Sequence, residues 1–586
     1  MSVIYRTSIP ARQAIFSARV AVPTLRTFTT SQRLPFASTS SALVHSSTSP
    51  GSSVAASPVH AGVRQAGSAT PSFDGVSSPN RSPSELRDPL AALNPRTLAT
   101  ATGHLQQAAL IDLVRQYVVY LASGSPALVS SGPWMLKQLD WARQNVPVLG
   151  ELIWSIFAVG MKATFFKVYA GGETVAECEA IYKELAANDV GCLLNYSAEA
   201  VDDAAGAGQT GVVQAAMDEA VHAVKGSARY GDSPDALATT ALKPSIFAIK
   251  VTGLLYEPSL LSRATTALVN SSAWQKGEDL PAGVLFPNSA ELTEADHAAL
   301  GDLYAGLREV GAAARDNGLR LLVDAEQSWF QPAIDRLTDL LSEEFNKVLP
   351  GAQGPSIPIV HNTYQTYLRT APGVMAGAIA RAERLGYSFG AKVVRGAYVE
   401  AERKRHVNLG LPGDCVVWNT KQETDDCYDG CAKQLEGRIA KELKEAKAGP
   451  GTGAFFASHN GTSMRKVLDA LRADGLAKTV DGRGVEVDER VRGRVSFGQL
   501  QGMSDNLTST LVTILAPSAS AAQPAIPFIF KYLPYASFDQ AIPYLIRRAN
   551  ENQSILQGDA TSGRGGAKDE RRAVGKMIRS RVGIPF

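Results

Sequence analysis

Acidic residues are missing from the first 73 positions of the chain, and every basic residue in this stretch is an arginine. Serine and threonine are frequent in the same stretch. An ordinary disordered tail of this length would contain some acids and lysines, whereas an arginine-rich, acid-free start is typical of a mitochondrial transit peptide. We therefore expect residues 1–33 to be a leader, and removal of its five arginines lowers the formal net charge from +2 to −3.

Paired cysteines, metal motifs and an excess of one charge are also missing. The five cysteines form no CxxC pair, and their odd number argues against a disulfide framework. The eight histidines show no HExxH spacing and no EF-hand loop is present, so local spacing assembles no metal site. The 58 basic and 56 acidic residues nearly cancel, which gives no reason to expect a nucleic-acid partner.

Long uncharged apolar runs are absent as well. The best of them, residues 152–161, stops at Lys162, which predicts a buried or surface-lying helix rather than a membrane span. Residues 34–85 are rich in Ser, Pro and Gly and are expected to be a disordered linker. The C-terminal tail, 557–586, is basic; a solvated tail is the favoured interpretation, and contact with anionic lipid is the alternative.

Beyond about residue 165, the sequence contains eight short β-rich apolar runs with amphipathic helices between them. Continuously apolar strands that alternate with helices indicate a parallel sheet covered by helices. Eight such units predict an α/β fold, a distorted (βα)8 TIM-type barrel, with a doubly wound open sheet as the alternative. The runs are 190–196, 246–251, 319–324, 357–361, 391–397, 453–458, 494–499 and 526–532.

The barrel interpretation also divides the rest of the chain. An N-terminal helical arm at 86–165 precedes the barrel, which occupies 166–556. Two segments near 200–243 and 399–423 interrupt the alternation and are interpreted as insertions. The first contains GAGQTG, but a dinucleotide-binding loop must directly follow its strand, and about ten residues separate these glycines from Tyr196. We interpret this motif as part of a flexible insertion.

Catalytic groups of a (βα)8 barrel lie at the carboxyl ends of its strands. Nearly every predicted strand ends in a polar or ionisable residue, and Lys250 and Asp324 each stand at the edge of an apolar strand. Lys250 is either a Schiff-base nucleophile or a fixed charge facing Asp324, and the sequence alone does not separate these roles. The strand-end candidates are Asn195, Glu199, Lys250, Asp324, His361, Asn362, Arg395, Tyr398, Ser458, His459, Asn460, Gln499 and Tyr532.

A helix is predicted at 537–552 (SFDQAIPYLIRRANEN), opening with Ser537 and Gln540 as a capping-box pair. Pro543 requires the helix either to start later or to kink at that point. Adjacent arginines on one face suit fork-like recognition of a small carboxylate, whereas the alternative is a solvated charged face. This face, at positions i, i+3, i+4 and i+7, presents Tyr544, Arg547, Arg548 and Glu551.

Seven motifs, about one per predicted strand, occur in order between residues 190 and 556. They are AIKVTGLL, LLVDAEQSWFQPAID, HNTYQTYL, GAKVVRGAYVEAER, FASHNGTS, FGQLQGMSDNL and YLPYASFDQAIPYLIRRANEN. Together they resemble the proline dehydrogenase (proline oxidase) family, in its mitochondrial eukaryotic, fungal-like form rather than the bacterial fused form.

The resemblance implies a barrel that binds FAD non-covalently and oxidises L-proline to Δ1-pyrroline-5-carboxylate by hydride transfer to flavin N5, the first step of proline degradation to glutamate. It also implies electron transfer to ubiquinone on the matrix side of the mitochondrial inner membrane, with peripheral contact to that membrane. A close variant is hydroxyproline dehydrogenase. The alternatives from other classes are a Schiff-base aldolase built on Lys250 or Lys392, and a barrel that has lost activity and serves as a binding protein.

The resemblance further assigns roles to individual residues. The catalytic group comprises Lys250, Asp324, Tyr398, Arg547 and Arg548. The substrate site comprises Lys250, Arg547 and Arg548 for the carboxylate and a ring wall of Ala397, Tyr398, Leu500, Tyr532 and Tyr544. The FAD site comprises Asp324, Asn362, Lys392, Val394, Gly396, Ser458, His459, Asn460 and Glu551, with Gly396 expected to let the backbone approach the cofactor.

Two positions depart from the family pattern. Lys392 stands where bacterial members carry an arginine beside the flavin, so a cation remains but the bidentate fork is lost. Asn195 stands where many members carry an acidic gate residue, with Glu199 four residues later. Asn195 can hydrogen-bond Arg547 but cannot form a charged pair with it, which leaves the strength of gating open.

Overall fold

A computed structural model describes residues 88–98, 100–197, 209–230, 245–348, 351, 354–480, 484–515, 526–556 and 567–583. All of these lie within one unit, Ser78–Phe586. The expected leader (1–33) and linker (34–85) lie outside the described residues.

The helical arm contains six helices before the barrel, and the predicted helical character of this region is confirmed. Proline occupies the first position of three of them, where its missing N–H would have no intrahelical partner and its fixed φ favours the helix. A π-helical turn, Lys162–Phe166, joins the fifth helix to the sixth. The arm helices are α1 (Pro95–Leu98), α2 (Gly103–Gln107), α3 (Leu110–Ser123), α4 (Pro126–Asn145), α5 (Pro147–Met161) and α6 (Lys167–Tyr169).

Ten strands follow, and eight of them form the barrel. They are β1 (Val190–Tyr196), β2 (Ser245–Ile249), β3 (Arg320–Val323), β4 (Val360–Gln365), β5 (Phe389–Val394), β6 (Thr452–Ala457), β7 (Ala477–Val480), β8 (Gly484–Val487), β9 (Val495–Leu500) and β10 (Ile529–Tyr535). The barrel closes in the order β1-β10-β9-β6-β5-β4-β3-β2, and every neighbouring pair in it is parallel. The predicted (βα)8 barrel is therefore confirmed.

Each of the eight predicted runs overlaps or adjoins a barrel strand, and β1 has the predicted bounds. The largest displacement concerns the run 357–361, because β4 begins only at Val360 and continues to Gln365. Pro358 carries no N–H and cannot join a ladder in a central strand, which delays the start of pairing. The antiparallel β7–β8 hairpin lies outside the barrel and was not among the predicted strands.

Helices surround the barrel and bury one apolar face each. In α11, Leu300, Leu303, Leu307 and Val310 repeat at helical spacing and are buried, each contributing about 1.5–3 kcal/mol of hydrophobic free energy. The helices are α7 (Val175–Ala187), α8 (Gln209–Tyr230), α9 (Ser259–Val269), α10 (Ser272–Lys276), α11 (Glu294–Asp316), α12 (Gln331–Phe345), α13 (Ala371–Leu385), α14 (Val399–Asn408), α15 (Lys421–Glu445), α16 (Gly461–Ala473), α17 (Asp505–Ile514), α18 (Phe538–Leu556) and α19 (Ala567–Val582).

The interpretation of 200–243 as a flexible insertion does not hold for its described part. Residues Gln209–Tyr230 form α8, which follows β1 and packs against β2 and α11 in the position of a barrel helix. Met217, Ala220 and Val224 of this helix are buried in the surrounding core. Because the buried face contains small residues such as alanine, its apolar pattern in the sequence is weak. Residues 200–208 and 231–243, including part of the GAGQTG motif, lie outside the described residues.

The barrel interior is filled at its amino-terminal end. Buried side chains from five strands meet inside it, namely Leu193, Ile246, Ala248, Leu322, Phe455 and Phe530. Arg320, at the start of β3, donates to the Gly493 carbonyl at 3.2 Å and to Ser496 Oγ at 3.0 Å. Burial lowers the pKa of Arg320 to about 10, which still leaves it protonated at neutral pH. The packed interior leaves space for a site at the carboxyl ends of the strands.

The basic C-terminal tail is not simply solvated where it is described. Residues Ala567–Val582 form α19, which packs along α3 of the arm. Leu113, Tyr120 and Val574 are buried between the two helices, because α19 presents an apolar stripe among its basic residues.

One helical stretch in the described part of the chain, Val148–Tyr169, is long and apolar enough to cross a membrane by length and composition. Only 6% of its apolar window is buried, so it is no core helix. The sequence predicted no such span because Lys162 ends the uncharged run, but the helix continues through Lys162 by the π-helical turn. The predicted surface-lying helix at 152–161 is present within α5.

Candidate active site

A cavity of about 1190 Å³ lies where the barrel strands end. It gathers residues from eight strands or their following loops and from α18, as the carboxyl-end rule requires. Most of the predicted site residues line it: Asn195, Lys250, Asp324, Lys392, Val394, Gly396, Ala397, Tyr398, Ser458, His459, Asn460, Leu500, Tyr532, Tyr544, Arg547, Arg548 and Glu551.

Two of the predicted residues that the structure describes, Asn362 and His361, are not brought to the cavity. Asn362 points out of the barrel, where its amide nitrogen donates to Asp335 Oδ1 of α12 at 2.9 Å. His361 lies near the start of β4 rather than at its end, and burial lowers the pKa of its ring to about 3. The prediction put His361 and Asn362 at the carboxyl end of the strand, but β4 continues four residues beyond the predicted run. Glu199 lies outside the described residues.

A carboxylate at the end of β3 connects two cavity residues. Asp324 Oδ1 accepts from Lys392 Nζ at 2.6 Å, and Asp324 Oδ2 accepts from the Tyr532 hydroxyl at 2.7 Å. Burial and the neighbouring carboxylate raise the pKa of Tyr532 well above its ordinary value, so the phenol stays protonated. Lys392 Nζ also lies 5.1 Å from the Tyr532 ring centroid. The three side chains therefore form one fixed unit in the cavity wall.

Lys250 faces a different carboxylate from the one expected. Its Nζ lies 3.8 Å from Glu326 Oε2, whereas the hydrogen bonds of Asp324 go to Lys392 and Tyr532. Glu326 is buried and accepts from the backbone N–H of Thr252 at 2.9 Å and from the Thr252 hydroxyl. The side chain of Glu326 is thereby fixed, and it places a negative charge behind Lys250.

Helix α18 carries the arginine pair, and it runs without interruption through Pro543. Arg548 is only 5% exposed; its Nη2 donates to Glu551 Oε1 at 2.6 Å and its guanidinium lies 4.9 Å from the Tyr544 ring centroid. Its buried Nε has no hydrogen-bond partner among the described residues. A buried guanidinium with an unused N–H can accept an anion from the cavity at little further desolvation. The predicted charged face is therefore not a solvated one.

The expected gate residue has other partners. The buried Asn195 amide nitrogen donates to the Ala248 carbonyl at 3.1 Å, and its oxygen accepts from the Ser197 hydroxyl. These two bonds hold the amide against the ends of β1 and β2, and they leave one N–H and one lone pair of the amide for a further partner.

Gly396 lines the cavity, and its backbone conformation and the Tyr367 ring already require a glycine at this position. Its φ is +119°, and a Cβ at this position would collide with the ring of Tyr367. A side chain would therefore be strained twice, by the backbone conformation and by the ring. Tyr367 in turn packs with Tyr398 and Leu368, so this glycine lets the loop after β5 close over buried aromatic groups.

Polar groups after β6 form a second part of the cavity wall. Arg395 donates to Ser458 Oγ at 2.6 Å and to Asp425 Oδ1 at 2.6 Å. Asn460 caps α16 through the Thr462 N–H, so the amino-terminal end of this helix faces the cavity. A helix N-terminus with cations nearby favours phosphate or another anion. Lys466, one turn into α16, also lines the cavity.

His459 is held as a neutral ring. Its Nδ1 lies 3.0 Å from Ser504 Oγ, and burial, helped by the charges of Lys531 and Arg548, lowers the pKa of the ring to about 3. A neutral imidazole in this position can donate or accept one hydrogen bond without adding charge to the cavity.

The sequence analysis missed several lining residues. Gln365 lies at the true end of β4 and donates to the Glu326 carbonyl at 2.6 Å. The polar run HNTYQ after an apolar segment was a signal for it, but the strand was ended too early. Glu326, two residues after Asp324 in the motif VDAE, was also missed; it does not line the cavity but is buried behind Lys250. Trp418, Lys421 and Lys466 come from helices and loops whose approach to the cavity depends on packing, so no local pattern reveals them.

The described residues contain no group of three or more His, Cys, Asp or Glu side chains that could hold a metal ion. The cationic and hydrogen-bonding groups that line the cavity instead suit an organic anion.

Comparisons with known proteins agree with this arrangement. A family model described as proline dehydrogenase matches residues 178–559. The mitochondrial proline dehydrogenase 1 of Homo sapiens is 32% identical over 276 residues, 47% of this chain and 39% of that protein; the Drosophila melanogaster protein is 33% identical over 47% of this chain and 34% of its own. These matches span well under half the length of those two relatives. The Homo sapiens hydroxyproline dehydrogenase is 28% identical over 76% of this chain and 87% of its own.

Among solved structures, proline utilization A from Bdellovibrio bacteriovorus aligns with a TM-score of 0.51 and 18% identity, covering 80% of this chain and 39% of that one. At this identity the likeness concerns the fold alone.

Proposed function

Because the chain belongs to the proline dehydrogenase family, we propose that it oxidises L-proline to Δ1-pyrroline-5-carboxylate with non-covalently bound FAD and passes the electrons to ubiquinone. This reaction is the first step of proline degradation to glutamate. The observation that carries the proposal is the arginine pair of α18 in the wall of a cavity with aromatic residues: Arg547 is partly buried, and Arg548 is buried with an unused guanidinium N–H.

Arg547 and Arg548 are proposed to bind the carboxylate of proline, with Lys250 as the third cation. Glu551 holds Arg548 by a hydrogen bond and the Tyr544 ring supports its plane, so little side-chain entropy is lost when a carboxylate binds. A carboxylate that meets fixed guanidiniums in a buried site gains charge-assisted hydrogen bonds that are stronger than neutral ones. This arrangement would fix the position of the substrate ring.

The ring of the substrate would lie against Ala397, Tyr398, Leu500, Tyr532 and Tyr544. The apolar parts of this wall disfavour a charged ammonium, which helps the ring nitrogen to be neutral when the C–H bond beside it is oxidised. Tyr532 is held by Asp324, so the wall is rigid on this side. Rigid walls and fixed cations together keep the reacting carbon in one place, which is the main entropic contribution that an enzyme can make.

The residues present fit FAD. The cavity of about 1190 Å³ is larger than the ~300–1,000 Å³ of ordinary small-molecule sites, which suits a dinucleotide together with a small acid. The start of α16 with Asn460, and the cations Arg395 and Lys466, would hold its phosphates. Lys392, Val394, Gly396, Ser458, His459, Asp324 and Glu551 line the cavity and remain the proposed flavin contacts. When bound, FAD supplies an acceptor for a hydride from a substrate carbon.

Hydroxyproline is the competing substrate, because a relative of that name aligns over 87% of its length. A 4-hydroxyl group would need a hydrogen-bond partner in the ring wall. Of the three tyrosines there, Tyr532 already donates its hydroxyl hydrogen to Asp324. The Tyr532 oxygen is therefore left only as an acceptor for such a hydroxyl group.

The Schiff-base alternative is disfavoured by the carboxylates beside both candidate lysines. Lys250 lies next to Glu326, and Lys392 next to Asp324. An adjacent carboxylate stabilises the ammonium, whereas imine formation requires the neutral amine.

The relatives named above from Homo sapiens and Drosophila melanogaster are called mitochondrial. With the arginine-rich start of this chain, this supports a place in the mitochondrion. We assign the protein to the matrix side of the inner membrane, where ubiquinone is dissolved, with peripheral contact to the bilayer.

The proposal is tested with the purified full chain and a soluble redox dye as electron acceptor. We expect turnover with L-proline, a product that reacts as a cyclic imine, and FAD released on denaturation. For trans-4-hydroxy-L-proline we expect kcat/KM to be lower by about 10²-fold, as for a hydroxyl in an apolar pocket. Equal or higher kcat/KM with hydroxyproline would reassign the substrate. A colourless protein that is trapped by borohydride with a ketone would instead reveal an aldolase.

A further inference from the structure

The helical arm exposes an unusual amount of apolar surface. Of the 24 large apolar side chains that are exposed in the described part of the chain, 16 lie between Leu110 and Val159, on α3, α4 and α5 and the turn between the last two. Soluble monomers rarely expose contiguous apolar patches beyond a few hundred Å², and larger ones mark protein or membrane contacts. This concentration on three adjacent helices therefore requires a partner.

On α5, the exposed residues form one face. Val148, Leu152, Ile156 and Val159 stand at helical spacing and are 87%, 56%, 67% and 68% exposed. The opposite side of the helix, including Trp154 and Phe157, packs toward the cluster beneath α18. The helix thus has one face on the protein and one apolar face directed away from it, which is the arrangement of a helix that lies in an interface rather than one that crosses it.

The neighbouring helix α4 adds tryptophans. Trp134 and Trp141 are 64% and 59% exposed, and α4 packs against α5. Pro126–Asn145 and Pro147–Met161 together with the residue between them contain only four charged residues. Two of the four, Arg143 and Glu151, pair with each other. Amphipathic tryptophan rings are enriched where lipid headgroups meet acyl chains.

A basic face adjoins these helices. Helix α19 packs along α3, and Lys576 and Arg579 are exposed one turn apart on it. The two acidic residues of α19 lie at its start, and Glu570 lines the cavity rather than the surface. Cations beside an apolar face complement anionic headgroups beside acyl chains, and this pairing of charge with apolar surface favours a bilayer over a second protein.

The arm also adjoins the substrate site. Phe166 and Tyr169 pack with Tyr544 and Leu545 of α18, the helix that carries the arginine pair. A lipid-soluble electron acceptor would reach this side of the barrel directly from a bilayer beneath the arm.

We propose that the exposed apolar faces of α3, α4 and α5, flanked by the basic face of α19, are the surface by which the protein docks onto an anionic lipid bilayer. We call it the arm surface and define it by Val118, Trp134, Trp141, Leu152, Ile156 and Val159. The arm lies in the headgroup region and does not cross the bilayer. The inference rests on the proposed function in one respect, since that function supplies the lipid-soluble acceptor that the docking would serve.

Flotation of the full chain with vesicles tests the proposal, using phosphatidylcholine alone and phosphatidylcholine mixed with cardiolipin. We expect the protein to float with the mixed vesicles. Ile156→Gln combined with Val159→Gln is expected to lower the bound fraction about tenfold, as loss of two partly immersed apolar side chains implies. The matched control combines Val374→Gln with Leu385→Gln, which are exposed apolar positions on α13, and is expected to float like the unchanged protein.

Lys576→Gln combined with Arg579→Gln is expected to abolish the preference for cardiolipin-containing vesicles while leaving proline oxidation by the soluble dye unchanged. Failure of the unchanged protein to float, or flotation of the α5 variant at the original level, overturns the proposal. If light scattering instead shows a dimer that the α5 variant dissociates, and no vesicles bind, the surface is a protein interface. If the unchanged protein floats with vesicles but does not oxidise proline with the soluble dye, the proposed function is refuted and the docking proposal is not. The failure of one proposal is therefore distinguishable from the failure of the other.

Discussion

The barrel mouth and the helical arm distribute polar and apolar groups in opposite ways. At the mouth, charged side chains are buried and paired: Lys392 with Asp324, and Arg548 with Glu551. On the arm, apolar side chains are exposed, and the ion pair of Arg143 with Glu151 lies at the surface. Both arrangements are unfavourable in isolation, because buried charges lose hydration and exposed apolar groups order water.

The comparison indicates that each region is completed by something it binds. The cations at the mouth are fixed in advance for an anion, and the arm surface is suited to a non-aqueous environment. Changes of the same kind should therefore have large effects at the mouth and small effects on the lipid-free arm.

The largest difference between the barrel mouth and a surface helix is expected in KM for proline when an arginine is removed. Arg548→Met deletes a buried, oriented guanidinium, and loss of such a partner from a charged pair typically costs about 2–5 kcal/mol. We expect KM for proline to rise about 10²- to 10³-fold while bound FAD is retained, measured by dye-linked kinetics and flavin content. Arg579→Met on α19 is the control and should change KM by less than about twofold. Loss of FAD with unchanged KM would show that α18 holds the cofactor rather than the substrate.

Glycine substitutions should change stability in opposite directions. Gly396→Ala meets both the positive φ and the Tyr367 ring, so we expect the free energy of unfolding to fall by about 2–4 kcal/mol. Gly160→Ala on α5 meets open space within a helix and should raise it by about 0.5–1 kcal/mol. Thermal unfolding of the lipid-free protein measures both. Equal Tm for Gly396→Ala and the unchanged protein would mean that the loop after β5 is not packed as described.

Removal of one carboxylate should destabilise the barrel mouth more than the arm, but the difference in stability should be smaller than for the glycine substitutions. Asp324→Asn removes the negative charge beside the buried Lys392 and weakens the support of Tyr532, and we expect a loss of about 2 kcal/mol in stability together with a fall in kcat. Glu151→Gln breaks the exposed pair with Arg143 and should cost less than about 0.5 kcal/mol. Chemical denaturation compares the two variants, and similar losses in both would remove the distinction drawn between buried and exposed pairs.

The smallest effect concerns pH. The pKa of His459 is lowered to about 3 from 6.5, mainly by burial and also by Lys531, Arg548 and Arg395, with Asp505 opposing them. Its contribution to stability is present above pH 6.5 and is lost as the pH falls toward 3, because the unfolded chain binds the proton first. His459→Asn should therefore make Tm depend less steeply on pH below 6.5, by an amount that corresponds to at most one proton bound on unfolding. His361 contributes with the same sign, and α3–α5 contain no histidine. A Tm slope unaltered by His459→Asn would contradict the buried, neutral ring.

Sequence patterns predicted the barrel well because each of its strands is encoded by a short run of neighbouring residues. A buried parallel strand must be continuously apolar, so β1 was predicted to the residue, and Lys250 and Asp324 were recognisable as charges at strand ends. Where small residues make the apolar face, as in α8, the pattern was too weak to show a barrel helix. The end of β4 was missed because its polar residues face the cavity and outer helix, which only the closed barrel makes into buried positions.

The partners of the site residues were less predictable. Whether Lys250 faces Asp324 or Glu326 depends on side-chain directions two residues apart on one loop, which no spacing encodes. The amide of Asn195 bonds to Ser197 and to Ala248, and the second contact arises only when β1 and β2 pair. The exposure of the arm is likewise a property of packing, since the same apolar residues would predict a core helix if they were covered.

The central proposal is that the barrel mouth holds proline against a flavin. Anaerobic addition of L-proline to the purified full chain, followed by absorbance near about 450 nm, tests it directly because the oxidised flavin band disappears on reduction. We expect the band to bleach with L-proline and to persist in the Arg548→Met variant at the same proline concentration. A flavin band that persists in the unchanged protein at saturating L-proline, or a purified protein with no flavin band, would contradict the account.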